Sequence, residues 1–196
     1  MKQRGFTLLE ALLVITIAAL LLAASLPSAG TWIRNTRIRT AAESISAGMQ
    51  QARNEAVRRN QPVGFYMVSD ADAVSMTDGC ALSSSSLGWV ISLASPAGKC
   101  ATDRNNFIAL RPPGDTADGL TVAAVDGAAA ASSSLMFNGF GQVAGTTPIT
   151  CVRVSNASDG SARALNIAIN PGGQVRMCDP AVTNANDPRI CLAGCS

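Results

Sequence analysis

A single carboxylate, Glu10, stands in an otherwise uncharged run of 21 residues from Phe6 to Leu26. As a helix at ~1.5 Å per residue that run spans about 31 Å, the thickness of a bilayer. An acidic side chain in a lipid-spanning helix costs on the order of 2.5–3.5 kcal/mol on insertion scales, so something must offset Glu10. A carboxylate facing an ammonium in a packed bundle of helices is compensated where one in lipid is not, so the chemistry on offer is charge pairing. The other reactive side chains are six cysteines, Cys80, Cys100, Cys151, Cys178, Cys191 and Cys195, all beyond the apolar run. An even number confined to one side suits disulfides in an oxidising compartment. No Cys-x-x-Cys pair occurs and the chain has no histidine. That removes the commonest general base, the Ser-His pairing and the usual zinc ligands. Asp115, Asp118 and Asp126 are too irregularly spaced for a calcium loop. We therefore expect no enzyme, no cofactor and no metal. Six cysteines allow 15 connectivities; the expected set is Cys178–Cys191 and Cys80–Cys100, leaving Cys151–Cys195.

These residues need elements to position them. Past Pro27 a helical pattern resumes, with Ile38, Ala41, Ala42, Ile45, Met49, Ala52 and Ala56 forming one apolar stripe. Asn60-Gln61-Pro62 ends it, because a proline disfavours helix at the residue before it. One long helix from Phe6 to Arg59 is predicted, kinked at Pro27 and Gly30. Beyond it the chain reads as strands: 63–68, 89–93, 107–110, 121–125, 135–137, 143–144, 150–154, 165–169 and 175–177. Asn138-Gly139 and Asn170-Pro171-Gly172-Gly173 are turns, and the Ala/Ser stretch 127–134 is a loop. Trp89, Phe107 and Phe137 are expected in the core. A long helix followed only by strands makes an α+β domain with antiparallel sheets.

The N-terminal run has three readings. A secretory signal peptide explains the basic start and Ala23-Ala24-Ser25, but its apolar part is usually only ~7–15 residues. A plain membrane anchor explains the length and not Glu10. Thirdly, Gly5-Phe6-Thr7-Leu8-Leu9-Glu10 closely resembles the leader of type IV pilins and type II secretion pseudopilins. That resemblance implies cleavage by prepilin peptidase between Gly5 and Phe6, N-methylation of Phe6, and a pairing of Glu10 with the N-terminal ammonium of a neighbouring subunit. Pro27 falls where such proteins often have a helix-loosening proline. Lys2, Arg4 and the amino terminus before the run are balanced by Arg34, Arg37 and Arg39 after it, so charge bias does not orient the span.

The resemblance extends into the head. Asn54-Glu55-Ala56-Val57-Arg58-Arg59 with Gln61-Pro62-Val63, Leu135-Met136-Phe137-Asn138-Gly139-Phe140-Gly141-Gln142-Val143, and Ile169-Asn170-Pro171-Gly172-Gly173-Gln174-Val175-Arg176-Met177-Cys178 are similar to the GspH/FimT group. The cysteine-rich tail from Cys178 to Cys191 leans toward the minor pilins of that group. Members implicated in DNA uptake carry a Gly-Arg-x-Arg motif there. Here the matching stretch is Gly173-Gln174-Val175-Arg176, with one arginine missing, so the candidate DNA contacts reduce to Arg176 and Arg189. Affinity for duplex DNA grows with the phosphates neutralised, and two arginines beside Asp179 and Asp187 make a weak platform.

The resulting organisation is a leader (1–5), a transmembrane or filament-core helix (6–30), an amphipathic helix half (31–60) and a periplasmic β-rich head with a cysteine-rich tail (61–196). Charge is uneven. The stretch 32–60 carries six arginines against Glu43 and Glu55, and the rest of the head seven basic against ten acidic residues. The basic stretch reads as a solvated or subunit-facing surface that meets acidic partners in the filament, and Trp32 as an interfacial anchor before assembly and a packing residue afterwards. The implied function is a minor type IV pilin that helps start the pilus and caps its tip, held first in the inner membrane. The implied partners are prepilin peptidase, other major and minor pilins, an inner-membrane assembly platform and membrane lipid. DNA capture for transformation and a type II secretion pseudopilin are the alternatives.

Overall fold

The computed structural model describes residues 7–72, 74–114, 119–157, 162–192 and 194–195, with the side chains of 23–29 left aside. Helix α1 (Leu8–Arg59) runs unbroken for 52 residues, through Pro27 and Gly30. It closes as the sequence requires. Asn60 adopts the left-handed conformation at φ 50°. Its N–H donates to the Val57 carbonyl, the Gln61 N–H donates to that of Ala56, both at 3.2 Å, and Pro62 follows.

Ten strands follow: β1 (Val63–Ser69), β2 (Ala81–Leu82), β3 (Gly88–Ser92), β4 (Phe107–Arg111), β5 (Leu120–Val125), β6 (Ser134–Phe137), β7 (Val143–Ala144), β8 (Cys151–Asn156), β9 (Leu165–Ile169) and β10 (Val175–Cys178). One sheet has the order β4-β3-β1-β6-β7, with β2 paired to the end of β1; the other is β10-β9-β8-β5. All their pairings are antiparallel. The α+β architecture expected from one helix and many strands is the one formed.

The apolar stripe Ile38–Ala56 is buried at every predicted position. It packs on Phe65, Met67, Trp89, Ile91, Leu135 and Phe137 of the first sheet and on Val122, Val152, Val154, Ile167 and Ile169 of the second. Gly48 permits the close approach: a Cβ there would lie 2.9 Å from the Phe65 ring and 3.0 Å from that of Trp89. Phe107 corrects the expectation that placed it in this core. It lies on the edge strand β4 and packs on the outer face, in a small cluster with Tyr66, Val68, Met76, Val90 and the Cys80–Cys100 disulfide. Alternation shows that a strand residue is buried but not on which face of the sheet.

Candidate functional site

Gly5 and Phe6, the expected cleavage site, with Phe6 the expected position of N-methylation, lie outside the described residues. Glu10 does not. Thr7 is the N-cap of α1, and its Oγ1 accepts from the Glu10 N–H at 3.3 Å. Thr7-Leu8-Leu9-Glu10 is therefore a capping-box sequence with the carboxylate at its third position, next to the positive end of the helix dipole. The leader resemblance implies a role for Glu10 between subunits; this local one is additional, and the Thr-x-x-Glu spacing announces it. In this turn and beyond it, Leu8, Leu9, Leu12, Leu13, Ile15, Leu20, Leu21 and Leu22 are all more than half exposed, up to 81% at Leu8. Among the described residues no helix is long and apolar enough to cross a membrane; the apolar stretch with described side chains is Leu8–Leu22. Trp32, just past the apolar run, is 70% exposed.

The helix arginines divide by neighbour. Arg34 turns back to Thr31 Oγ1 at 3.3 Å, and Arg39 pairs with Glu43 at 2.7 Å. Arg58 and Arg59 both bind Glu55, and their hydrogen bonds hold its carboxyl below the usual carboxylate range. Arg53 does something the sequence did not reveal. Its Nε donates to the Gly141 carbonyl at 2.9 Å and its Nη2 reaches the Gly172 carbonyl at 3.5 Å. It thus joins the β6–β7 turn to the β9–β10 turn, two of the three segments whose sequences carry the family resemblance in the head.

The tail is held at several points. All six cysteines are paired, as Cys80–Cys100, Cys151–Cys195 and Cys178–Cys191. Asp179 is buried, 3% exposed, and binds the Arg163 guanidinium, while the Arg163 N–H donates to Asn35 Oδ1 on α1 at 2.8 Å. Burial pushes the Asp179 carboxyl up; Arg163 and the Ala181 N–H outweigh that and leave it below its ordinary range. Asp187, exposed, is drawn down to about 2 by hydrogen bonds from the side chain and backbone of Arg189.

These two groups give a prediction. Both carboxyls have lowered folded pKa values, so the unfolded chain binds more protons as pH falls below the ordinary carboxylate value of 3.8. Their contribution is complete above that value and is lost as the solution is acidified toward pH 2. Asp179→Asn should lower stability at neutral pH by about 2 kcal/mol, the scale of hydrogen bonds to a charged group. It should also flatten the fall of Tm below pH 4, as read by thermal melts of the full chain in detergent. An unchanged acid limb in Asp179→Asn would dismiss the pair as the cause.

Arg176 and Arg189, the candidate DNA contacts, are brought to the same disulfide-closed loop. Arg176 Nη2 donates to the Ile190 carbonyl at 2.6 Å, while its Nε is buried. Arg189 is bound to Asp187 at 2.7 Å. Both guanidinia are engaged inside the tail. Among the described residues no group of acidic or cysteine side chains is arranged to hold a metal ion. Asp126 caps its own turn, accepting from the Ala128 and Ala130 N–H groups, and Asp115 and Asp118 lie outside the described residues.

The family described as type II transport protein GspH matches residues 41–173. The chain belongs to the GspH family. A prokaryotic N-terminal methylation motif matches residues 1–26 ahead of that GspH region. No curated protein matches the sequence. Among solved structures, the type IV minor pilin FimU of Pseudomonas aeruginosa is 17% identical with a TM-score of 0.50, covering 74% of this chain and 91% of its own. The minor pseudopilin EpsH of the Vibrio cholerae type 2 secretion system is 12% identical with a TM-score of 0.45, covering 74% and 99%. The solution structure of Escherichia coli GspH is 17% identical with a TM-score of 0.40, covering 76% and 92%. GspH-family chains are minor pilins or pseudopilins of type IV pili or type II secretion, structural subunits and not enzymes. Pilin-like proteins of this kind are processed by prepilin peptidase at the methylation motif and assemble with other pilins.

Proposed function

We propose that this chain is a minor pilin of a type IV pilus, anchored in the inner membrane by Phe6–Leu26 with its head in the periplasm, that primes assembly and is incorporated at the tip. The observation that carries this reading is the division of α1. Its C-terminal half is buried against two sheets, whereas its N-terminal half is apolar, exposed and headed by a methylation motif. A helix half whose described apolar side chains stand exposed suits lipid first and the helices of other subunits afterwards. Glu10 sits at the start of that half, where it would meet a neighbour's N-terminal ammonium. An initiator makes physical sense because leaving lipid is costly, and a preformed complex offers the first such partner. The three-disulfide head supports an oxidising compartment.

Mass analysis of the N-terminus of the mature chain tests this. A start at methylated Phe6 is the expected result. An uncut Met1, or a start near Thr31, would defeat the reading. A secretion pseudopilin is the second reading, favoured by the description of the family itself, and genes for secretion components beside this one would favour it over the pilus. DNA capture ranks below both, because Arg176 and Arg189 are already bound within the tail.

A further inference from the structure

Arg37 on α1 and Arg111 on β4 line one cleft of about 180 Å³ together with Thr40, Ala41, Ser44 and Leu87. Among the described residues no acidic side chain lines it. Among the described residues neither guanidinium has a hydrogen-bond or ion-pair partner, although the neighbouring helix arginines are taken: Arg34 by Thr31 and Arg39 by Glu43. Ser44 Oγ accepts from Trp89 Nε1 at 3.3 Å, and a hydroxyl that accepts in this way still has a proton to donate. The cleft therefore presents donors and positive charge from two elements and, among the described residues, no matching anion. Ala41 and Leu87 give it an apolar wall, which strengthens a charged contact by excluding water.

We propose that this cleft receives the carboxylate of an acidic side chain on a neighbouring pilin-type subunit, with Arg37 and Arg111 clamping it. Two guanidinium forks match a carboxylate in geometry as well as charge. Arg37 lies eleven residues beyond Leu26. At ~1.5 Å per residue that is about 16 Å past the apolar run, farther than the headgroup layer extends, so a lipid phosphate is out of reach. The inference rests on the reading that the chain enters a filament.

The test uses the full chain in its own cells, with the photocrosslinking residue p-benzoylphenylalanine in place of Thr40. Illumination should join the chain to a second pilin-type subunit through a peptide that contains Asp or Glu. The paired substitution Arg37→Glu with Arg111→Glu should lower the crosslinked fraction at least fivefold, while the three disulfides remain formed. Arg37→Lys with Arg111→Lys should lower it about twofold. Replacing the partner's acid with Lys should restore crosslinking to the Glu-substituted chain. A yield indifferent to the charge reversal overturns the proposal. So does a crosslinked peptide without an acid, a crosslink to lipid, or one to residues 115–118 of the same chain. A wild-type chain absent from filaments overturns the filament reading and this inference with it, whereas a wild-type chain in filaments with charge-indifferent crosslinks overturns the cleft alone.

Discussion

Glu10→Ala is expected to leave leader cleavage intact and to lower the amount of this chain recovered in sheared filaments at least tenfold. The proposed pairing exists only in the assembled state, so its loss falls on assembly and not on processing or head folding. A carboxylate costs on the order of 2.5–3.5 kcal/mol in lipid, and about 1.4 kcal/mol of lost pairing is already tenfold in an equilibrium. The structure supplies a competing explanation, because Glu10 also occupies the third position of a capping-box sequence headed by Thr7, whose Oγ1 caps the Glu10 N–H. Glu10→Gln separates the two. Gln serves a capping box as well as Glu does but carries no charge. If Gln behaves like Ala, the charge matters between subunits; if Gln restores incorporation, capping was the role and the pairing reading is wrong. Thr7→Val completes the comparison. It removes the side-chain acceptor of the Glu10 N–H at a cost of about 1 kcal/mol to the helix end and leaves the carboxylate in place.

Much of the architecture was legible because it rests on short periods. The stripe from Ile38 to Ala56 repeats every three or four residues, and its members are buried together. β9 (Leu165–Ile169) and β7 (Val143–Ala144) occupy the predicted residues, and the other predicted strands lie within a residue or two of those found. The disulfide pairs found, Cys80–Cys100, Cys151–Cys195 and Cys178–Cys191, are the set expected. Interactions across long stretches of chain were not legible. Arg53 reaches Gly141 across 88 residues, and nothing in its helical neighbourhood distinguishes it from Arg58 or Arg59. Arg163 joins α1 to the tail, yet its sequence surroundings read as a plain loop. β2 has two residues and exists only through its pairing with Val68 and Ser69, so no alternation pattern could mark it. The cleft of Arg37 and Arg111 is of the same kind, since one residue is on the helix and the other on an edge strand.

Gly173→Ala should destabilise the head by about 3 kcal/mol, combining a Cβ in the left-handed region with overpacking. Gly173 has φ +81°, and a Cβ there would lie 1.9 Å from the Gly141 carbonyl oxygen and 3.0 Å from Arg53 Nε. The obstacle is backbone on one side and an anchored guanidinium on the other, so neither can rotate away as a free side chain would. The Val143 N–H donates to the Pro171 carbonyl at 3.0 Å beside this contact. Separating the two turns would break that bond and both Arg53 bonds together, which unfastens one sheet from the other at the end of α1. For a chain of this length the change corresponds to a Tm lower by about 6–12 °C, measured on the full chain in detergent. Gly172→Ala is the control, since a Cβ there meets nothing nearer than Asn170 Oδ1 at 3.5 Å, and it should stay within about 0.5 kcal/mol of wild type. If Gly173→Ala melted within 2 °C of wild type, the turns would not be locked by backbone contact, and Arg53 alone would hold the two family-signature segments together.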